Sequence, residues 1–210
     1  MRYFNSLPNI TVSDSNNNSM LMKNLMVRTQ LIPKLSKNPL VFYKYSIQDG
    51  DTPEIIADKY YGDVYRYWMV LYGNSNIMDP QFDWPKNSTQ FTQYMQNKYA
   101  VAANGVNNVL SYTQGTIHHY EKIVTTVDNS TGTTAIKSVE IDEDAYLSLN
   151  PFSQTQTFPN GTTVTYSVSG DAISIYSYES NLNESKRDIQ IINSTYVTEM
   201  ETQYQSLVKL

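Results

Sequence analysis

The sequence predicts an α+β fold, a short β-α-α core with flanking helices and a small antiparallel β region inserted behind it. Three observations carry this reading. Tyr45 and Ile47 alternate with Ser46 and Gln48, and Asp49-Gly50-Asp51-Thr52-Pro53 then turns the chain straight into helical spacing. Residues 53–73 hold two closely spaced apolar stripes, with Gly62 and Gly73 placed as stops. From Thr116 the apolar period falls to two residues and stays there to about Tyr178.

Residues 1–39 read as an N-terminal arm and helix. The polar run Ser13-Asp14-Ser15-Asn16-Asn17-Asn18 has too little apolar surface to offset the entropy of ordering, so it is expected to be extended. Ser19 is placed to cap a helix from Met20 to about Leu31, with Met22, Leu25, Met26 and Thr29 on one face and Pro33 ending it. Met20, Met22 and Met26, three methionines in seven residues, allow two readings, gap-filling in a local core or an adaptable docking face, because a methionine side chain fits irregular shapes.

Residues 40–99 form the predicted core. Leu40-Val41-Phe42-Tyr43 feeds the strand at Tyr45. Thr52 offers its hydroxyl to the free N–H groups of a helix start, Pro53 suits the first helical position, and Glu54 lies at the positive end of the helix dipole. Gly62 ends this helix in the left-handed conformation, and Asp63 caps a second whose apolar positions are Val64, Tyr67, Trp68, Leu71 and Tyr72. Trp68 belongs to the core stripe. Trp84 stands between Asp83 and Pro85 in a loop, where a surface or latch role fits it. Ser88 starts a further helix through about Asn97, with Phe91, Tyr94, Met95 and Tyr99 as its buried side, packed on the core.

Residues 100–180 read as a connector and an antiparallel insertion. Val106–Tyr112 is expected as a short helix, and Ile117, His119, Glu121, Ile123 and Thr125 as one face of a strand returning over Thr134–Ile141. Asp142 opens a short helical segment near Tyr146, and Thr162–Val168 with Ala172–Tyr178 is expected as a second hairpin about Ser169-Gly170-Asp171. Residues 181–210 give a last strand at Ile189–Ile192 and a helix with Tyr196, Val197, Met200, Tyr204, Leu207 and Val208 in one stripe, expected to lie on its own protein.

Composition narrows the function classes. A net charge of −5 and no cluster of Lys and Arg argue against a nucleic-acid partner. No run of apolar residues is long enough to span a bilayer or to act as a signal peptide, so a soluble protein made in the cytoplasm is expected. With no cysteine there is no disulfide or thiolate site. His118 and His119 are adjacent in a predicted strand and should point to opposite faces, which leaves no paired base, and His119 with Glu121 supplies only two metal ligands. The 20 acidic residues are enough for glycan cleavage by paired carboxylates, but no place for such a pair is evident. No cofactor is implied, since no Gly-rich loop precedes a helix. The 18 tyrosines suit protein contacts and sugar stacking alike.

The run Tyr-x-Ile-x-x-Gly-Asp-Thr-x-x-x-Ile-Ala-x-x-Tyr at Tyr45–Tyr60, followed by Leu71 and Asn74, resembles a LysM module, a small βααβ unit that binds N-acetylglucosamine-containing glycans. The return strand of that pattern is missing, and Asn76-Ile77-Met78-Asp79-Pro80-Gln81-Phe82-Asp83-Trp84-Pro85 stands in its place. That variant, with Tyr65-Arg66-Tyr67-Trp68 before it, resembles the baseplate wedge subunits of T-even-like contractile-tailed phages, which carry a LysM-like domain. The resemblance covers roughly residues 40–99 and implies a non-enzymatic virion protein of the tail baseplate. Its partners would be other wedge and tail proteins, and its LysM-like module would serve protein docking during assembly. Tyr72, Asn74, Asp79, Pro80, Phe82 and Trp84, with Met22 and Met26, are then the candidate contact residues. The alternative the module itself implies is binding of peptidoglycan, in a groove between Asp49–Thr52 and Gly73–Asp79.

Overall fold

The computed structural model describes residues 2–27, 29, 38–74, 76, 77 and 79–208. They form two compact α+β units, residues 1–87 together with 184–210, and residues 88–183.

The first unit begins with a 3-10 turn at Tyr3–Ser6 and a hairpin of β1 (Asn9–Ser13) and β2 (Ser19–Lys23), paired from Asn9↔Lys23 to Ser13↔Ser19. This corrects the expectation of a helix from Met20. The polar run is the hairpin turn: the Asp14 carboxylate accepts from the backbone N–H of Asn16 and Asn18, and Asn17 takes the left-handed φ of 65° that Asn tolerates. With the turn closed locally, Met20–Lys23 pairs with a strand rich in β-branched residues before helical spacing can act. Met22 and Met26 therefore do not share a helix face. The rest of the expected helix, with its Pro33 stop, falls largely on residues outside the described set.

The next segment follows its sequence closely. β3 (Phe42–Ser46) leads through Gly50, at φ 91°, to Thr52, whose hydroxyl accepts from the Ile55 N–H at the start of α1 (Pro53–Tyr61). Gly62 ends α1 at φ 63°, donating to the Asp58 carbonyl. The Asp63 carboxylate accepts from Tyr65 N–H, and a 3-10 turn at Val64–Arg66 runs into α2 (Tyr67–Tyr72). One turn of helix, α3 (Pro80–Asp83), stands where a return strand was missing, with Pro80 at its first position and the Asp83 carboxylate accepting from Asp79 N–H.

In the second unit, α4 (Ser88–Tyr99), a 3-10 turn at Val106–Asn108 and α5 (Val109–Gly115) bury Met95, Ala103 and Val109. Against the expectation that α4 packs on the 40–99 core, its Phe91, Tyr94 and Met95 pack with these residues and with Tyr176. A four-stranded antiparallel sheet follows, in the order β5-β4-β7-β6. Its strands are β4 (Ile117–Asp128), β5 (Thr133–Ile141), β6 (Phe152–Thr157) and β7 (Thr163–Ser174), with α6 (Glu143–Leu147) between β5 and β6. Asp142 caps α6 through Ala145 N–H. The hairpin expected about Gly170 does not exist. Residues 163–174 are one strand, and α7 (Ile175–Ser185) replaces its second arm. Gly170 is there for room, since a Cβ would stand 2.8 Å from the Tyr146 ring that covers the sheet.

Glu179 on α7 is 4% exposed and accepts from Lys98 Nζ at 2.6 Å, Tyr99 Oη at 2.6 Å and Tyr94 Oη at 3.0 Å. Burial pushes its pKa up, but the three donors outweigh burial and hold it below the ordinary value.

The chain then returns to the first unit. β8 (Asp188–Ile192) pairs antiparallel with β3, from Phe42↔Ile192 to Ser46↔Asp188, and Asn193 caps a 3-10 turn leading to α8 (Val197–Leu207). The α8 stripe of Val197, Met200, Tyr204 and Val208 lies on the unit's own core, with Ile47, Ile56, Trp68, Met69, Val70, Ile189, Ile191 and Ile192. Gly73 ends α2 as expected, but in right-handed conformation at φ −69°, and a Cβ there would meet the Gln190 carbonyl at 3.2 Å, so it also serves close approach to β8.

Two predictions follow from these arrangements. Replacing residues 88–183 by a Gly/Ser linker should leave the first unit folded, because closure entropy rises only by about 0.6 kcal/mol per doubling of loop length. Retention of a single cooperative urea transition checks this. A cut at 116–178 should instead behave worse, since it strands α4 and α5 without Tyr176. Glu179→Gln should cost the second unit about 2 kcal/mol at pH 7 by removing its charge-assisted hydrogen bonds. A depressed carboxylate pKa contributes stability above the unfolded value and loses it as pH falls through the folded one. The wild-type unit should thus weaken below about pH 4, and the variant less so, in denaturant titrations at pH 7 and pH 3.5.

Candidate docking surface

The turn between β3 and α1 is held from three sides. Asp51 accepts through its carboxylate from Gln48 N–H at 3.0 Å and from the Tyr45 hydroxyl, and through its carbonyl from the Trp84 indole N–H at 2.9 Å. Asp49 accepts from Arg187 Nη2 at 2.8 Å, while Nη1 of the same guanidinium donates to the Ile47 carbonyl at 3.1 Å. Burial, reinforced by Asp51, raises the Tyr45 pKa. The polar groups that would face a ligand in this turn are bonded to the protein itself.

Trp84 is half-buried against the first unit's core and its indole reaches back over the turn, so α3 folds across rather than away. Lys186 Nζ donates to the Phe82 carbonyl at 2.8 Å and holds the other end of the same segment. Phe82 itself is 68% exposed, and Asp79 and Pro80 are exposed beside it.

Asn74 and Tyr72 face inward. Asn74, 6% exposed, donates through Nδ2 to the Val70 and Gln190 carbonyls, both at 2.7 Å, and accepts through Oδ1 from Gln190 N–H at 2.8 Å. It thus ends α2 and occupies the outer edge of β8 in one step. Tyr72 packs edge-on against Trp68 and Tyr204. Met22 is half exposed on the hairpin face that pairing also gives to Ile10, Val12 and Met20, and Met26 is 86% exposed just beyond it. The eight predicted contact residues therefore divide. Phe82, Asp79 and Pro80 lie together, Met22 and Met26 lie near the hairpin, and Trp84, Tyr72 and Asn74 support the fold. Sequence reading did not single out Ile10 and Val12, which share the methionine face of the hairpin and whose alternation over residues 10–12 was an available signal. It also missed Arg187 and Lys186, which no local pattern connects to residues a hundred positions earlier.

The histidines require a correction. A register shift between Ile117 and His119 in the β4–β7 pairing undoes the strict alternation of strand faces, and their Nδ1 atoms lie 2.9 Å apart. His118 stacks on Tyr178 at 3.8 Å, and His119 Nε2 meets Glu121 Oε1 at 3.1 Å. Among the described residues no group of three or more His, Cys, Asp or Glu is placed to hold a metal ion.

The first unit thus carries exposed apolar side chains on α3 and on the hairpin, while the polar groups of Asp51 and Asn74 bond inward. The sequence model of the base plate wedge protein 53 family matches residues 9–210. The chain belongs to the base plate wedge protein 53 family. No curated protein matches it. Membership makes the chain a structural protein of the phage tail baseplate, located in the virion among other baseplate proteins. The match takes in both units, so the second is as much part of the wedge protein 53 pattern as the first.

Asn74→Ala should lower the stability of the first unit by about 3 kcal/mol, since it strands buried groups on both α2 and β8. The shift of its urea midpoint, with the slope unchanged, measures this.

Proposed function

We propose that the chain is a docking subunit of the baseplate wedge, built on a LysM-like module whose groove is closed by its own chain. The order β3, α1, α2, β8 with an antiparallel strand pair supports a βααβ reading, the second unit being interposed before the last strand. The observation that carries the proposal is the Trp84 indole N–H on the Asp51 carbonyl, at 2.9 Å. It spends the turn's outward acceptor on a protein donor and lays α3 over the place where a sugar chain would stack. What remains outward is apolar: Phe82 on α3, and Ile10, Val12, Met20 and Met22 on a two-stranded ribbon. An isolated ribbon of that kind is marginally stable in water, which suits a segment completed by a neighbour during assembly.

Calorimetric titration with N-acetylglucosamine oligomers should give no binding heat, and micromolar affinity would count against the closed groove. Phe82→Ala should leave the melting temperature within about 2 °C, as exposed substitutions do, yet reduce incorporation into wedges assembled from the tail proteins. Normal incorporation of that variant would remove α3 from the docking surface.

A further inference from the structure

The sheet of the second unit ends in two strands with an open side, β5 and β6. An edge strand points alternate backbone N–H and C=O groups outward, and proteins guard such edges with charge, proline or bulges. The two edges differ in this respect. β5 carries Lys137 and Glu140 among its nine residues. β6 reads Phe152-Ser153-Gln154-Thr155-Gln156-Thr157, with no charge and no proline, and all six residues are exposed. It keeps unbroken register with β7 from Phe152↔Val168 to Thr157↔Thr163, so its outer ladder is regular as well.

Its two faces specify what fits beside it. Pairing sets Phe152, Gln154 and Gln156 on one face with Val168, Tyr166 and Val164. Phe152 is 49% exposed and its ring lies 5.7 Å from that of Tyr166, which is also exposed. The other face offers Ser153, Thr155 and Thr157, with the Thr155 hydroxyl 3.0 Å from that of Thr165. A neighbouring strand would thus meet an apolar pair at one end, amides and hydroxyls elsewhere, and no charge.

We propose that β6 is an acceptor edge, onto which an extended segment of another baseplate protein adds as a fifth strand through backbone hydrogen bonds. In such strand addition the main chain supplies affinity and alternate side chains supply specificity. The segment would be about six residues long, uncharged, with an aromatic or aliphatic side chain against Phe152 and Tyr166 and small polar residues facing Ser153 and Thr155. A different chain fits better than a second copy, because each copy carries a net charge of −5. The inference rests on the baseplate reading and names the kind of contact made there.

Amide hydrogen exchange on the full chain, free and within wedges assembled from the tail proteins, tests it. Peptides covering 150–158 should exchange roughly tenfold more slowly after assembly, while those covering β5 should not slow. Gln154→Lys with Gln156→Lys, which gives β6 the kind of guard β5 has, should keep the melting temperature within about 2 °C and lose roughly tenfold against wild type in competitive incorporation. Ser138→Lys on β5 should compete equally. Unchanged exchange at β6 in wedges that contain the chain would overturn the inference while leaving the structural role intact. So would protection at β5 alone, equal incorporation of the double-lysine chain, or protection of β6 in the free chain that grows with its concentration. Failure of the wild-type chain to enter the wedge would overturn both.

Discussion

The pairing of β3 with β8 is the interaction on which the first unit depends. It joins residues 42–46 to residues 188–192, so the whole of the second unit falls between these two strands in the chain. Closing this connection has an entropic cost that the ladder's hydrogen bonds and side-chain burial offset together. The compensation is visible in the side chains. Ile189, Ile191 and Ile192 are all buried, Tyr61 donates to the Ile192 carbonyl, and Asn74 takes both backbone groups of Gln190 on the outer edge. Gly73 completes the fit by having no side chain where β8 passes. Arg66 then ties this core to the C-terminal helix, donating to the Tyr61 carbonyl and to Glu201 at 3.0 Å.

The same economy explains how the turn before α1 is held. Arg187 immediately precedes β8, and its guanidinium can reach Ile47 and Asp49 only because β8 lies against β3. Lys186, its neighbour, fastens the Phe82 end of α3. Strand pairing, turn and latch are therefore one connected arrangement, and Phe82 stays exposed once its internal bonds are made.

The second unit is built differently. Only Val168 is buried among the described residues of its sheet, and the apolar cluster lies in the helices around Met95. Its hydrogen-bonded ladders are extensive while its apolar core is small. The carboxylate of Glu179, taken by one ammonium and two phenols, supplies a polar joint between α4 and α7 where apolar area is limited.

Sequence alone determined whatever depends on neighbours in the chain. The Thr52-Pro53 start and Gly62 stop of α1, the Asp142 cap of α6, the strands β4 and β5, and the C-terminal stripe were all legible, because caps, left-handed glycines and periodicity act within a few residues. Where local signals competed, reading failed. Met20–Lys23 had helical spacing, but an Asx-type turn at Asp14 delivered it to a strand partner, and Ser169-Gly170-Asp171 had turn composition inside a strand whose Gly answered to Tyr146 from another element. For the candidate site, Phe82, Asp79 and Pro80 were singled out by their break with a regular strand, and the structure leaves them exposed. That Trp84 would turn inward, that Asn74 would clamp β8, and that Arg187 would close the turn were decided only by tertiary structure. Each depends on a partner more than 30 residues away, and no spacing rule reaches that far.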